Sequence, residues 1–322
     1  MYRVWLVSLL ISVSVISLYL IYIDNIYITK TNYNIVTKTE YNKVEDFDNF
    51  DNITGTKDGC YIVPNIVHFI RFNQKQLSFI DLVCILAAYK HQKPDHIYIH
   101  TNVLNFKGKY WEYLLTNNEI INIIKIKYLD MPTQIFGQQL SKQFLVFHSG
   151  DIARLKILMK YGGIYLDNDS YIVRNMNDLR KYEISIGWRE NGNISNQVII
   201  TNKNARFLKL WLESYRNAYN SKSWFYNAGI RPTQEILLKD PSLVHREKVL
   251  LAPYDIIGKM YETKWPEWRH YYTVHLMINH QYLLRNLSEK ATYPVQFNET
   301  NIKLYPIAFR DMVYDVYPFD IA

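Results

Sequence analysis

"MKYGGIYLDNDSYIV", Met159 to Val173, decides how this chain is read. A helical stretch stops at Gly162 and Gly163, and Ile164 to Leu166 then runs as a short apolar strand into two carboxylates, Asp167 and Asp169. Just upstream, "SGDIARLKILMKYGG" offers Ser149 as a helix N-cap and Asp151 in the first turn. Ile152, Leu155, Leu158 and Met159 form the stripe that packs on a sheet. Carboxylates at i and i+2 past a buried strand cannot both ionise in a dry site without a compensating cation. On the loop that begins here both can converge on one metal, and oxygen ligands left partly unsatisfied suit Mn²⁺ or Mg²⁺, which recruits phosphate oxygens. Taken alone, Asp-Asn-Asp is also ordinary turn composition.

Moving outward, "YIVPNIVHFIRF" (Tyr61 to Phe72) reads as a strand, and "LSFIDLVCILAAYK" (Leu77 to Lys90) as a helix behind a Ser78 cap. After Pro94, "HIYIH" (His96 to His100) reads as a strand again, so these three make a parallel βαβ unit. A helix near Tyr110 to Thr116 and a strand within Ile120 to Leu129 repeat the theme. Asp167 and Asp169 thus leave an α/β sheet at its carboxyl edge, where ligands bind. "YEISIGW" and "NQVIIT" read as strands, Ala205 to Tyr219 as an amphipathic helix, and the aromatic-rich last seventy residues show little period.

The 322 residues suit one sizeable domain after residue 58. Val4 to Ile23 carries no charge and matches the length of about 20 residues that crosses a bilayer, so an uncleaved signal anchor with a three-residue cytoplasmic tail is expected. That arrangement is type II, with the bulk of the chain lumenal. Residues 24–58, rich in Asn, Thr, Lys and Asp, read as a stalk, and 59–322 as the catalytic domain. Cys60 and Cys84 are compatible with one disulfide or with two buried thiols. The net charge of +7 suits an anionic substrate, a headgroup surface or plain solvation. No Lys/Arg block or ribonucleoprotein motif argues for nucleic acid.

"DIARLKILMKYGGIYLDNDSYIV" resembles the signature of glycosyltransferase family 32 and relatives, the sugar transferases with a DxD motif. "VPNIVHFIRF" is similar to the family's opening strand, and the resemblance spans roughly residues 61 to 235. It implies a GT-A fold: a single Rossmann-like domain with a mixed central sheet, a nucleotide-sugar donor, a divalent metal and retention of anomeric configuration. On this resemblance Asp167 faces the ribose and metal, Asp169 ligates the metal, and Asp151 and Arg154 reach the donor sugar and diphosphate. Asp151 and Arg154 are also simply an i,i+3 ion pair. His68 and Phe69 fall near the base, His68 being equally well a satisfied, half-buried histidine, and Arg71 or Phe72 stands where the family often has Trp. His275, in "YYTVHLMINH", is the implied third metal ligand, with His280 after it; each is also an ordinary core histidine. Asn196, Gly229 and Pro232 fall where the family places donor and acceptor loops.

The function so implied is transfer of a hexose or N-acetylhexosamine from a UDP-sugar, with GDP-mannose as the other donor, to a glycolipid or glycoprotein in the Golgi or endoplasmic reticulum. An inactive, membrane-tethered sugar-binding or scaffold protein of the same fold is the alternative from another class. A two-metal phosphohydrolase would need more Asp, His and Glu ligands than the sequence groups together.

Overall fold

The computed structural model describes residues 41–278, 294 and 296–319. The expected anchor at 4–23, residues 24–40 of the expected stalk, and His280 lie outside them. Among the described residues no helix is long and apolar enough to cross a membrane.

The chain begins as expected. Strand β1 (Ile66–Arg71) leads to helix α1 (Phe79–Ala87), which Ser78 opens with a reciprocal capping box to Asp81, and β2 (His96–Thr101) returns parallel to β1. Helices α2 (Lys109–Thr116) and α3 (Asn118–Ile123) precede β3 (Ile124–Tyr128), which is therefore shorter than the apolar run that announced it. Helix α4 (Leu145–Tyr161) leads to β4 (Gly163–Leu166) and β5 (Ser170–Ile172). Next come β6 (Ile184–Trp188), β7 (Ile194–Thr201), α5 (Arg206–Glu213), β8 (His245–Glu247), β9 (Thr273–His275) and α6 (Ala308–Val316).

The sheet runs β8-β6-β7-β4-β1-β2-β3 among the described residues; β7 is antiparallel to both its neighbours and the other pairings are parallel. This is a mixed, mostly parallel sheet of an α/β fold, as expected. β9 pairs antiparallel with β5, opposite which His275 meets Ser170, so a distant part of the chain is sewn onto the strand that follows the two aspartates. One apolar cluster packs α1 and α6 with Val67, Phe69, Ile97 and Ile99. The other packs α4 and α5 with Ile70, Tyr165, Ile186 and Ile199.

Two expectations change and one open choice closes. α4 starts at Leu145, so Ser149 lies within the helix, donating from Oγ to Pro132 O at 2.5 Å, and Asp151 is in the second turn. The cysteines, left open between a bridge and free thiols, are both free, Cys84 buried and Cys60 half-buried. Residues 41–58 are not a free stalk. Phe47 and Asn52 are buried, and Asn52 exchanges two hydrogen bonds with the buried Glu183, both of 3.0 Å. A polar segment can bury in this way because its amides are satisfied one by one, a pairing that composition does not show.

Candidate active site

The glycine pair explains how the chain turns from α4 into β4. Both glycines have positive φ, and a Cβ on Gly163 would stand 2.6 Å from Ile66 O and 2.8 Å from His68 Nε2. Only a residue without a side chain fits there. The turn is braced from β1: His68 Nε2 lies 2.8 Å from Gly162 O, and Nδ1 lies 3.0 Å from His100 Nε2. A carbonyl only accepts, so His68 Nε2 carries the proton and neutral His68 accepts from His100 at Nδ1.

β4 then delivers its end into a cavity of about 770 Å³ at the carboxyl edge of the parallel strands. Asp151, Arg154, Tyr165, Asp167, Asp169, Asn196 and His275 all line it. Asp169 Oδ1 lies 3.0 Å from His275 Nε2, and its Oδ2 accepts from the Ile278 backbone N–H at 3.0 Å. Asp167 accepts from the Tyr165 hydroxyl at 2.7 Å, with Arg154 Nη1 at 3.4 Å and His275 Nε2 at 3.9 Å from its oxygens. Arg154 also donates to Asn196 O at 2.6 Å, pairs with Asp151 at 3.1 Å and stacks over the Tyr165 ring. Asn196 Nδ2 donates to Asp151 at 2.8 Å.

These groups set each other's charge. Burial alone would discharge His275, but Asp169 beside it holds its pKa above the ordinary histidine value. Burial likewise opposes the Asp169 charge, yet His275 and the Ile278 N–H hold its pKa below the usual carboxylate value. Burial pushes Asp151 up to about 6, against the pull of Arg154. Burial also works against the Arg154 charge, and Tyr165, Asp167 and Asp151 around it hold its pKa above the ordinary arginine value. The compensating cations that the paired carboxylates demand are thus partly the protein's own.

Two carboxylates and an imidazole are a donor set that suits Mn²⁺ or Mg²⁺. They meet here as a hydrogen-bonded cluster: among the described residues no three His, Cys, Asp or Glu side chains stand as a ready-made cage. The set fits a cation once the proton shared by His275 and Asp169 has left, as a metal-bound imidazole requires.

The remaining expected residues divide. Phe72 and Arg71 reach the cavity, but Arg71 is held by Asp81 Oδ2 at 2.7 Å and by Gln76 O at 3.1 Å, so it is a tethered charge and no free stacking platform. His68 and Phe69 do not line the cavity. Both are buried within the sheet, because only the last residues of β1 emerge at its carboxyl edge. From "YNAGIRPT" the cavity takes Ala228, and neither Gly229 nor Pro232 lines it; a Cβ on Gly229 would overlap the Phe225 ring. Tyr165, Asn168 and Gln197 are lining residues that the sequence reading passed over. Tyr165 shares a strand face with Asp167, an alternation that could have found it. Asn168 donates to Ile70 O at 2.6 Å and ties the loop to β1, for which the sequence holds no signal.

With this geometry in place, residues 94–185 match the family described as "Glycosyltransferase sugar-binding region containing DXD motif". The chain is 28% identical over 192 residues to Glucan organizing enzyme 1 of Cryptococcus neoformans var. grubii, a match covering 54% of this chain and 49% of that protein. The chain therefore spans about half the length of this curated relative. Among solved structures, PaToxG Glycosyltransferase matches at 20% identity over 56% of this chain and 70% of that one, with a TM-score of 0.37. The galactosyltransferase LgtC in complex with donor and acceptor sugar analogues matches at 10% over 79% and 96%, with a TM-score of 0.41. Mouse xyloside xylosyltransferase 1 matches at 11% over 66% and 97%, with a TM-score of 0.39. The resemblance to DxD-motif sugar transferases holds: the matched residues run through α4 and β4 and include the loop that carries Asp167 and Asp169.

Proposed function

We propose that this protein is a glycosyltransferase that moves a hexose or N-acetylhexosamine from a nucleotide sugar to a glycolipid or glycoprotein acceptor, with retention, and needs a divalent metal to do so. A UDP-sugar is the preferred donor and GDP-mannose the other. The observation that carries this reading is the convergence of Asp167, Asp169, His275 and Arg154 in one cavity at the sheet edge.

A divalent cation, Mn²⁺ or Mg²⁺, held by Asp167, Asp169 and His275 would neutralise charge on the diphosphate leaving group, a contribution of several kcal/mol. Arg154, fixed by Asn196 O and Asp151, is a second, permanent positive charge at the same place and costs no reorganisation when the bond breaks. The bond from the anomeric carbon to the diphosphate oxygen breaks, the acceptor oxygen bonds to that carbon from the same face, and the acceptor's hydroxyl proton passes to the departing diphosphate. Asp151, buried and oriented by Asn196, is placed to accept a hydroxyl of the donor sugar and so fix the ring. The type II anchor and lumenal placement expected from residues 4–23 belong to this proposal.

The test is release of nucleoside diphosphate by the full chain from UDP-glucose, UDP-galactose, UDP-N-acetylglucosamine and GDP-mannose, each with Mn²⁺, Mg²⁺ or EDTA. Metal-dependent release from one donor supports the reading. A folded chain that releases none and binds no UDP contradicts it and favours the inactive sugar-binding protein.

A further inference from the structure

A transferase must hold two substrates, and the charged floor of the cavity accounts for one. Two turns of α4 join that floor to a different surface. Phe147, Asp151 and Arg154 lie four and three residues apart, so they share one helix face, and Val146 and Phe147 stand at its outer end. Both line the cavity, and both are exposed, at 54% and 41%. Trp224 joins them from the loop after α5, 37% exposed, with its ring centre 6.2 Å from that of Phe147 in an edge-on arrangement, and Phe225 follows it into the lining. Single exposed apolar side chains need no explanation, but adjoining aromatics at the mouth of a polar cleft do.

We propose that Phe147 and Trp224 form the acceptor subsite, and that the acceptor group seated there is a carbohydrate. The proposal rests on the transferase reading above and names the substrate that reading leaves open. A pyranose has a face of C–H bonds and a rim of hydroxyls, so it matches a site with aromatic planes at the mouth and polar groups below. Stacking on Phe147 or Trp224 orients the ring, and the hydroxyl directed inward is the one brought toward the floor of Asp151, Arg154 and Asn196. An acyl chain laid along the same path would bury charges on that floor without replacing their hydrogen bonds. The cavity volume, about 770 Å³, lies in the upper part of the range of about 300–1,000 Å³ usual for ligand sites, consistent with two ligands meeting in it.

The test compares full-length wild type with Phe147→Ala, Trp224→Ala and Trp224→Phe. The first readout is diphosphate release without acceptor, and the second is transfer to the methyl glycosides of glucose, galactose, mannose and N-acetylglucosamine and to phosphatidylcholine vesicles. The expected result is transfer to at least one methyl glycoside. Its acceptor KM rises tenfold or more in both alanine variants, the donor KM moves less than twofold, and Trp224→Phe recovers most of the loss. The proposal is overturned if the alanine variants leave acceptor KM unchanged, if donor and acceptor KM rise together, or if a donor-hydrolysing wild type uses no glycoside. A preference for the vesicles over every glycoside overturns it as well. A wild type that fails the first readout contradicts the transferase reading itself, a failure visible before any acceptor is added.

Discussion

Asp151 shows how the site reports its own charge. Its pKa of about 6 lies above the ordinary 3.8, so between about pH 4 and 6 the folded chain binds more protons than the unfolded one. Stability contributed by this group is therefore present at low pH and lost as pH rises through 6. Asp151→Asn should raise the melting temperature at pH 7 relative to wild type and remove this trend, measured as the difference between the two proteins across pH 4 to 7. If ionised Asp151 holds the donor sugar, donor turnover in wild type should rise through about pH 6, and the asparagine variant should lose that rise with most of its activity. A melting difference that is flat with pH would show that Asp151 ionises in the fold as it does in the unfolded chain, with no rise in its pKa.

Residue chemistry was also where the sequence was most legible. Asp167 and Asp169 could be picked out because the helix, glycine pair and apolar strand before them set an otherwise ordinary Asp-Asn-Asp turn at the sheet edge, and His275 lies 3.0 Å from Asp169. His68 stayed open in the sequence between the base and a satisfied interior position, and it takes the second for an equally physical reason. A histidine in a β-strand can face a ligand or the interior, and the deciding partners, Gly162 and His100, lie 94 and 32 residues away. Phe147 and Trp224 meet through tertiary packing and carry no local mark at all.

Elements carry the site through the turn between α4 and β4. Gly163→Ala puts a Cβ against Ile66 O at a positive φ, and should cost about 3 kcal/mol or more by urea denaturation. Tolerance within about 0.5 kcal/mol, the usual range for an exposed position, would mean that the turn relaxes and the tight approach is not needed. The pairing of β1 with β2 brings a second dependence on pH. Burial pushes His68 down to about 4 and His100 to about 3, the latter helped by His68, Lys127 and Lys160. Both are neutral in the fold, so the unfolded chain takes up more protons below about pH 6.5, and stability is lost as pH falls through that value. Each contributes up to about 1.4 kcal/mol per pH unit. His100→Gln should flatten the fall between about pH 6 and 4; an unchanged slope would place the acid lability elsewhere. At this scale the sequence showed the βαβ start, since the Ser78 cap and strand alternation are local signals. It misjudged the start of α4, because Ser149 looks like a cap until packing against Pro132 is known.

For the molecule as a whole, the stretch before the first strand is part of the domain. Asn52 and Glu183, both buried, form one network with the half-buried Arg206, whose Nη2 lies 2.8 Å from Glu183 Oε2. A fragment of residues 41–322 should keep the melting temperature of the full chain. A fragment of 59–322 leaves Glu183 with half its partners and should melt lower by 5 °C or more, a difference of about 2 kcal/mol for a domain of this size. Equal melting of the two fragments would return 41–58 to the role of a stalk. Composition cannot foresee this attachment, because Asn-rich segments are soluble as linkers and also able to satisfy a buried carboxylate.

The central claim is a metal-dependent nucleotide site built on Asp169. Its most direct measurement is calorimetric titration of UDP and GDP into the full chain with Mn²⁺, with Mg²⁺ and with EDTA, in wild type and Asp169→Asn. The account predicts binding of one nucleotide with metal, loss of that binding in EDTA, and at least tenfold weaker binding in the variant, whose fold is checked by its melting temperature. Nucleotide binding of equal strength with and without metal, unchanged by Asp169→Asn, would contradict it.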